Sequence, residues 1–283
     1  MIFSIKLSEP VDNLAKKDYN IYKTAIGITI YYLPNGKDLY FSMNTIKFDS
    51  KNTLVVAHRG LSGIEAENTN SAFVAAGNRS YFGIETDIHR TSDGHFIVNH
   101  DGHLNRIAGE DITVEERTLK ELQSIVLFDK DGTKSRLDLI PCTLENYISI
   151  CKKYEKHCIL ELKSKFTDGE TERFINIIKE YGYLEHVTFI SFDYENLVKV
   201  RKILPSQSVQ FLFDKVTDEI TEKLVTDKFD ADIYFKYLTK EQIDKLHEAG
   251  IKINCWTVDD PQVAEQLAEW GVDQITSNIL EGK

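Results

Sequence analysis

Histidine, arginine and carboxylate side chains gather at the ends of short apolar runs in the first half of this sequence. His58 and Arg59 follow the run at 54–57, Glu85 and Asp87 stand in a second run, and His100 follows a third. Carboxylates can hold a divalent cation, an arginine fork can grip phosphate oxygens, and paired imidazoles can exchange protons near neutral pH. A metal-assisted hydrolase of phosphate esters needs this set of groups.

Three carboxylates form the candidate metal site. Glu85 and Asp87 are two residues apart on a predicted strand, so their side chains face the same way, and Glu161 and Lys163 repeat that spacing later in the chain. An all-oxygen donor set suits Mg²⁺ or Ca²⁺ better than zinc. The alternative interpretation is that these are strand-end charges that face solvent or pair with a neighbouring cation. His89 shares the face of the first pair and is a further candidate ligand.

Two histidines are candidates for proton transfer. His58 ends the first predicted strand and His100 follows a short apolar run. Placed beside a metal-bound phosphodiester, the two imidazoles could divide the work of general base and general acid. A single histidine more often has a structural role, so the pair carries this hypothesis.

Other side chains are candidates for binding and support. Arg59 offers a planar fork for two phosphate oxygens, and Gly60 would let the backbone turn sharply beside it. Trp256 could form an apolar wall for the substrate's alcohol, or it could be barrel core. We expect Glu67 to hold Arg59 or to lie beside the metal. Asn68 or Thr69 can cap the following helix, and we assign the cap to Asn68.

A strand-then-helix rhythm positions these residues, and it runs from residue 54 to the end of the chain. The predicted strands span residues 54–58, 83–88, 158–163, 187–190, 209–213, 231–235, 251–257 and 271–275. The polar stretch 101–140 is interpreted as an insertion after the second strand. Eight such units, the last with a short or absent helix, favour an α/β fold that closes as a TIM (β/α)₈ barrel over an open sheet. No GxGxxG motif follows the first strand, which disfavours dinucleotide binding.

The first 50 residues have a different pattern from the barrel domain predicted for residues 51–283. Two β-rich runs, 25–32 and 39–43, flank Pro34-Asn35-Gly36, an arrangement typical of a β-hairpin. A lone hairpin is marginal in water, so we expect this N-terminal extension to pack on the barrel or on another subunit as part of a homo-oligomer. A structural extension is favoured over a binding module.

Composition narrows the class of protein and its partners. The 283 residues are 42% hydrophobic and 28% charged, which is ordinary for a globular protein. The net charge of −11 argues against nucleic acid or an anionic membrane as a partner. No stretch approaches 18 apolar residues, so no membrane span is expected. The four cysteines lack a CxxC pair and the N-terminus lacks a signal-peptide pattern, so free thiols and a cytoplasmic location are expected.

The motifs together resemble, in order and spacing, the glycerophosphodiester phosphodiesterase family. The matching positions are His58-Arg59-Gly60, Glu67-Asn68-Thr69, Ala72-Phe73, Glu85-Thr86-Asp87, Thr91-Ser92-Asp93-Gly94, Val98-Asn99-His100-Asp101, Arg106, Pro141-Cys142-Thr143-Leu144-Glu145, Glu161-Leu162-Lys163 and Trp256-Thr257-Val258. The resemblance covers about residues 54–280 and is specific, because it joins a dozen separated positions.

The resemblance implies a TIM barrel with an insertion after its second strand. It implies a divalent metal, Mg²⁺ or Ca²⁺, held by Glu85, Asp87 and Glu161, with the two histidines as the acid/base pair. Arg59 and Lys163 would contact the phosphate. The implied substrate is a small glycerophosphodiester, hydrolysed to glycerol 3-phosphate and an alcohol through attack by the neighbouring hydroxyl and a cyclic phosphate.

The chain departs from the family pattern at a few positions. Ala66 replaces a proline, which we expect to loosen the start of the helix without removing a functional group. Gln274 replaces a glycine and Ser277-Asn278 replaces Thr-Asp at the last strand, which we expect to alter substrate shape more than chemistry. Two other functions stay open. One is a phospholipase D that acts on lipid head groups, which fits poorly with the missing signal peptide. The other is a barrel that binds without catalysis, which the filled catalytic positions disfavour.

Overall fold

The computed structural model describes the backbone of three strands before residue 44 and the whole chain from residue 44 to 283. The chain divides into two units, Met1–Asn44 and Thr45–Lys283. This division falls ahead of the expected boundary at residue 50 because a strand at residues 46–48 pairs with the C-terminal end of the chain.

The first unit contains a three-stranded antiparallel sheet. Its strands are β1 (Tyr22–Ala25), β2 (Ile28–Tyr32) and β3 (Leu39–Met43). β2 pairs with both neighbours, and its register against β3 runs from Ile28 opposite Met43 to Tyr32 opposite Leu39. The two β-rich runs of the sequence therefore pair as in a hairpin. The Pro34-Asn35-Gly36 turn lies outside the described residues, and the homo-oligomer stays a prediction.

The second unit is built from strands that alternate with helices. Its strands are β4 (Ile46–Phe48), β5 (Leu54–Ala57), β6 (Gly83–Arg90), β7 (Phe96–Val98), β8 (His157–Leu162), β9 (Val187–Ser191), β10 (Ser208–Phe213), β11 (Asp230–Tyr234), β12 (Ile253–Trp256), β13 (Gln274–Ser277) and β14 (Leu280–Gly282). Its helices are α1 (Asn70–Gly77), α2 (Asn105–Ala108), α3 (Leu119–Leu122), α4 (Leu144–Lys153), α5 (Asp168–Glu180), α6 (Tyr194–Ile203), α7 (Asp218–Asp227), α8 (Lys240–Glu248) and α9 (Pro261–Trp270).

Eight parallel strands close into a barrel, which confirms the predicted fold. They are β5, β6 and β8 to β13, and β5 pairs in parallel with both β6 and β13, which closes the ring. The interior is filled by a cluster that includes Val56, Ile159, Ile190 and Leu212. A larger core lies between the strands and the surrounding helices. Apolar residues occupy both faces of most strands because both faces are covered, as is usual for parallel sheets.

Threonine and aspartate side chains fix where the helices begin. The hydroxyl groups of Thr143, Thr167 and Thr239 each accept a hydrogen bond from the third residue of the following helix, in capping boxes. Asp260 caps α9, whose first residue is Pro261, a position where the missing N–H costs nothing. These caps set the lengths of the loops at the carboxyl ends of the strands, and those loops carry the candidate site.

The insertion lies between β6 and α4. β7 pairs antiparallel with β6 and is not one of the eight parallel strands, and α2 and α3 follow it before α4. The insertion has a small apolar core of its own that includes Leu104, Val114 and Leu122. The predicted segment 101–140 falls inside it.

No helix follows β13 in the described chain. The chain instead ends in β14, which pairs in parallel with β4 so that Leu280 is opposite Ile46. Glu281 of β14 accepts hydrogen bonds from the hydroxyl groups of Thr45 and Ser80. The first and last strands of this unit therefore support each other. Within the described residues, no helix has the length and apolar character needed to cross a membrane.

Candidate active site

Most of the candidate residues meet at the carboxyl ends of the barrel strands, where loops can converge on one cavity. His58, Arg59, Glu85, His100, Glu161 and Trp256 all line the same cavity. Its apolar side comes from residues such as Ile190, Phe192 and Leu212. This face carries the active site in barrels of this kind.

The three predicted metal ligands converge beneath this cavity. Glu85, Asp87 and Glu161 each offer a carboxylate oxygen, and these oxygens lie within 4.8 Å of one another. The parallel register places Asp87 opposite Glu161 on neighbouring strands, which explains the convergence. All three side chains are buried. Among the described residues, the Oδ1 atom of Asp87 has no hydrogen-bond partner.

Buried carboxylates this close repel one another. Burial and the charge of Asp87 raise the pKa of Glu85 well above its usual range and raise the pKa of Glu161 to about 8. Burial also disfavours charge on Asp87, but Arg59 and Lys163 outweigh it and hold the pKa of that carboxyl below its usual range. The all-oxygen cluster, with one oxygen that accepts no hydrogen bond from the described residues, fits a hard divalent cation, which would offset the repulsion between the carboxylates.

Two cations border the acidic cluster. The Nζ atom of Lys163 lies 2.9 Å from Oε1 of Glu161 and 3.7 Å from Oδ1 of Asp87. The Nε atom of Arg59 lies 3.7 Å from Oδ2 of Asp87 and is buried without a hydrogen-bond partner among the described residues. Arg59 therefore lines the cavity, and Lys163 lies beside the acidic cluster that borders it.

The backbone at Arg59 is held in an unusual conformation. Arg59 has φ of +53° and Gly60 has φ of +75°. A left-handed conformation costs a non-glycine residue about 1–2 kcal/mol, and here the N–H of Arg59 offsets it by donating to Oε2 of Glu85 at 2.8 Å. Gly60 has no room for a side chain, because a Cβ would lie 2.7 Å from the backbone carbon of Ala72. The turn expected at Gly60 is therefore present.

Glu67 holds arginine side chains. Its Oε1 atom accepts from Nη1 of Arg59 at 2.9 Å, and both of its oxygens accept from Arg106, at 2.7 and 2.8 Å. It stands outside the acidic cluster. Of the two roles expected for Glu67, the structure places it in the first, beside Arg59.

Asn68 was expected to cap α1, and this expectation was wrong. The cap is Thr69, whose hydroxyl accepts from the N–H of Ala72. Asn68 has a φ of +56°, whereas a capping residue needs an extended backbone. Its amide instead donates to Oδ2 of Asp87 at 2.8 Å and accepts from Thr86, so it orients a candidate metal ligand.

The side-chain amide of Asn278 holds the imidazole ring of His58 in place. Its Nδ1 atom lies 2.7 Å from Oδ1 of Asn278, and its Nε2 atom lies 3.9 Å from Oε2 of Glu85. Asn278 is held in turn by Asp259, which accepts from its amide Nδ2 at 2.6 Å and from its backbone N–H at 2.8 Å. Burial, aided by the nearby charge of Arg59, lowers the pKa of His58 to about 4.

His100 is held by a carboxylate. Its Nδ1 atom lies 2.7 Å from Oδ1 of Asp101, whose other oxygen accepts from Nε of Arg106 at 2.8 Å. Arg106 also binds Glu67, so hydrogen bonds connect His100 to Arg59. Burial lowers the pKa of His100 below its usual range.

His89 lies beside this group rather than in the acidic cluster. Its Nε2 atom is 3.4 Å from the carbonyl oxygen of His100, and its Nδ1 atom is 3.6 Å from a carboxylate oxygen of Glu115. The structure therefore places His89 among the groups that border His100, and the three clustered carboxylates do not include it.

Trp256 forms one wall of the cavity. Its ring packs against Phe192 at 5.6 Å and Tyr234 at 5.2 Å between centroids. Asp232 lies deeper, 2% exposed, and its Oδ1 atom has no hydrogen-bond partner within the described part of the chain. Burial and the charge of Glu161 raise the pKa of Asp232 well above its usual range.

The sequence profile of the glycerophosphoryl diester phosphodiesterase family matches residues 58–281. This range contains every residue of the site described above. The chain belongs to this family. It is therefore an enzyme of a hydrolase family.

Known proteins agree with the family assignment. The chain is 31% identical over 232 residues to a protein named glycerophosphodiester phosphodiesterase from Caldanaerobacter subterraneus subsp. tengcongensis, covering 81% of this chain and 95% of that relative. It is 28% identical over 246 residues to one of the same name from Bacillus subtilis, covering 80% and 83%.

Solved structures show the same barrel. A phosphodiesterase from Oleispira antarctica, in complex with the product sn-glycerol-3-phosphate, superposes with a TM-score of 0.73 at 25% identity, covering 80% of this chain and 93% of that one. A glycerophosphodiester phosphodiesterase from Parabacteroides distasonis superposes with a TM-score of 0.67 at 27% identity, also covering 80% and 93%.

The structure adds residues that the sequence interpretation did not select. Asn278 was expected to affect substrate shape, yet it contacts a candidate catalytic histidine directly. Asp101 and Arg106 were quoted as part of the family pattern without a role. Asp232 falls in the predicted strand 231–235 and was given no role, although the alternation of side chains along that strand could have placed it inside the barrel.

Proposed function

We propose that this protein hydrolyses glycerophosphodiesters to glycerol 3-phosphate and an alcohol, with Glu85, Asp87 and Glu161 as ligands of a divalent cation. One observation carries the proposal: the buried acidic cluster, an arginine fork and two histidines share one cavity at the mouth of a family barrel. The product bound to the Oleispira antarctica relative supports the substrate class. When bound, Mg²⁺ or Ca²⁺ would polarise the phosphoryl oxygen and lower the pKa of a nearby hydroxyl group.

Arg59 and Lys163 would bind the phosphate. Both border the acidic cluster, each within 3.7 Å of a carboxylate oxygen of Asp87. Arginine presents two parallel donors to two phosphate oxygens, whereas lysine supplies a compact charge. Glu67 and Arg106 would hold the Arg59 fork in place, and Asn68 would do the same for Asp87. Trp256 would supply an apolar wall for the substrate.

We assign His58 as the general base and His100 as the general acid. Nδ1 of His58 donates to a neutral amide oxygen, so its Nε2 lone pair can take the proton of the attacking hydroxyl group. Nδ1 of His100 donates to the carboxylate of Asp101, which opposes the effect of burial on the pKa and favours the protonated ring that must give a proton to the leaving oxygen. The hydroxyl oxygen bonds to phosphorus as the bond to the alcohol breaks, so the alcohol leaves with the proton from His100 and a cyclic phosphate remains. Water then gives a proton to His100 and attacks the phosphorus, the ring bond breaks, and the freed glycerol oxygen takes the proton back from His58, which yields glycerol 3-phosphate.

The decisive experiment is to incubate the purified protein with glycerophosphocholine, glycerophosphoethanolamine and a lysophospholipid, and to assay glycerol 3-phosphate. Each incubation is run with Mg²⁺, with Ca²⁺ and with EDTA. We expect release from at least one glycerophosphodiester, abolished by EDTA and restored by one of the cations. No release under any divalent metal would overturn the proposal, and turnover of the lysophospholipid alone would favour the phospholipase D alternative.

We also propose a cytoplasmic location. All four cysteines lie buried as free thiols: Cys142, Cys151, Cys158 and Cys255. Free thiols persist in reducing compartments, and disulfides are usual in oxidising ones. Fractionation of the native cells with an antibody to the protein would test this, and recovery in the secreted fraction would contradict it.

A further inference from the structure

A row of aromatic rings extends outward from the cavity. We define the aromatic strip as Phe192, Trp256, Tyr234 and Tyr237. Its consecutive ring centroids are 5.6, 5.2 and 5.6 Å apart. Rings at these distances pack edge to face or tilted, which gives a contiguous surface.

The aromatic strip begins inside the candidate site and ends in solvent. Phe192 and Trp256 line the cavity together with His58 and His100, whereas Tyr237 follows β11 on the loop before α8. Phe192 is 49% exposed and Tyr237 is 44% exposed. Large exposed aromatic side chains that continue a cavity mark a binding surface more often than an ordinary surface.

Two lysines border the outer part of the strip. The Nζ atom of Lys215 lies 4.8 Å from the ring centroid of Tyr237, and that of Lys236 lies 5.7 Å from the ring centroid of Tyr234. Both side chains belong to exposed residues. Neither ammonium group has a carboxylate partner within 4.0 Å among residues 44–283.

The acidic groups on the neighbouring loops are largely engaged elsewhere. Asp193 accepts from the N–H of Glu195 at the start of α6, and Asp260 accepts from the N–H of Gln262 at the start of α9. Asp259 is occupied by Ser277 and Asn278. Asp214, which precedes Lys215 in the chain, is exposed, so a ligand at the outer end of the strip meets the two lysines and this one carboxylate.

These features select between two classes of ligand. An aromatic surface alone could bind a quaternary ammonium group, but two lysines already lie over ring faces of this strip and would repel another cation. The rings can instead cover the carbon chain of a polyol. The buried indole N–H of Trp256 has no acceptor in the described part of the chain, so it can donate to a substrate oxygen.

We propose that the aromatic strip with Lys215 and Lys236 is a subsite for a leaving alcohol that is a polyol carrying a second phosphate group. The proposal rests on the phosphodiesterase activity proposed above and narrows its substrate. The polyol lies along the rings, and its phosphate lies between the two ammonium groups. The second phosphate could be a terminal monoester or the next diester of a short glycerophosphate chain, and both present the same anionic oxygens to the lysines.

The test compares matched substrates. Glycerophosphoglycerol and glycerophosphoglycerophosphate differ only by the terminal phosphate, and a glycerophosphate trimer supplies the diester form. Glycerophosphocholine supplies the cationic leaving group. We expect kcat/KM to be about tenfold higher for the phosphate-bearing compounds than for glycerophosphoglycerol. This ratio should fall towards one as NaCl rises from about 20 mM to about 300 mM, because salt screens exposed charges.

The double variant Lys215→Gln with Lys236→Gln tests the assigned residues. It should remove most of the tenfold preference, while Lys202→Gln, an exposed lysine on α6 paired with Asp168, should keep it. Dissociation constants of the same compounds, measured by calorimetry on Mg²⁺-loaded His58→Ala protein with and without the double substitution, give a second readout that needs no turnover.

Each outcome separates the two proposals. Hydrolysis without a preference for the second phosphate, a preference that survives the double substitution, or a preference for glycerophosphocholine would overturn the subsite and leave the phosphodiesterase function standing. Failure to hydrolyse any of the four compounds would overturn the proposed function. In that case, the ratio of the dissociation constants of glycerophosphoglycerol and glycerophosphoglycerophosphate would test the subsite by itself. Equal dissociation constants would overturn it.

Discussion

The Nδ1 atom of His58 lies 2.7 Å from the Oδ1 atom of Asn278, and this contact determines which ring nitrogen carries a proton. Nδ2 of Asn278 donates to Asp259, so the amide oxygen must be the end that faces the ring. An amide oxygen accepts and cannot donate, so Nδ1 of His58 is the protonated nitrogen. The lone pair of Nε2 is left on the side of the ring that faces Glu85.

Replacing Asn278 by alanine should slow the reaction with little change in substrate binding. Without the acceptor, the imidazole of His58 loses its fixed tautomer and orientation. Partners of this kind are worth about 10–100-fold in activity. We expect kcat to fall by that factor and KM to change less than about threefold, as measured by steady-state kinetics.

Asn278→Asp is the matched control because it keeps an acceptor for Nδ1 of His58. It should recover part of the lost kcat. The nitrogen chemical shifts of the His58 ring should report the Nδ1-protonated tautomer in the native protein and a mixture in Asn278→Ala. An unchanged ring spectrum and unchanged kcat in Asn278→Ala would show that Asn278 does not position His58.

Replacing either candidate histidine by alanine should reduce the rate much further. We expect His58→Ala and His100→Ala each to lower kcat by at least about a hundredfold, which is the usual contribution of acid/base catalysis. His95→Ala, an exposed histidine in the same half of the chain, should retain full activity. Near-normal turnover in either of the first two variants would remove that residue from its assigned role.

Local patterns were enough to predict the barrel and the position of its acidic face. The two-residue spacing of Glu85 and Asp87 places both side chains on one face of β6, and the register opposite β8 then brings Glu161 to them. Parallel strands buried on both sides have continuous apolar runs, so their order could be read from the chain.

Contacts between distant parts of the chain could not be predicted in this way. The pairing of β4 with β14 joins strands of three residues each, which are too short to show a pattern. Asn278 is 220 residues from His58, and no local signal connects them. Asn68 was assigned as the helix cap because asparagine is a common capping residue. Its left-handed backbone, which the sequence does not reveal, turns its side chain towards Asp87 instead.

Replacing Glu85 by glutamine should abolish metal binding at little cost to the metal-free protein. Burial and the neighbouring charge of Asp87 already disfavour ionised Glu85, and glutamine has almost the same shape. In EDTA, we expect the free energy of unfolding to stay within about 1 kcal/mol of the native value. Divalent cation at about 100 times its dissociation constant should stabilise the native protein by about 2.7 kcal/mol and leave the variant unchanged.

Glu110→Gln serves as the control for that experiment, since Glu110 pairs with Lys134 in the insertion, away from the acidic cluster. Its metal-dependent stabilisation should equal that of the native protein in urea titrations with and without Mg²⁺ or Ca²⁺. A Glu85→Gln protein that still gains stability from the cation would exclude Glu85 as a ligand.

Glu281 should make the barrel less stable in acid. Although burial opposes its charge, hydrogen bonds from Lys47, Ser80 and Thr45 lower its pKa to about 2. A folded-state pKa below the unfolded value gives stability that is complete above about pH 4.5 and is lost as the pH falls towards 2. Glu281→Gln should therefore cost about 2 kcal/mol at pH 7 and roughly half of that at pH 3, because hydrogen bonds to a buried charge are worth about 1.5–3 kcal/mol. Urea unfolding at both pH values measures this cost, with Glu269→Gln as the exposed control. If Glu281→Gln lowers the free energy of unfolding equally at pH 7 and pH 3, the charge of Glu281 does not stabilise the contacts of β14.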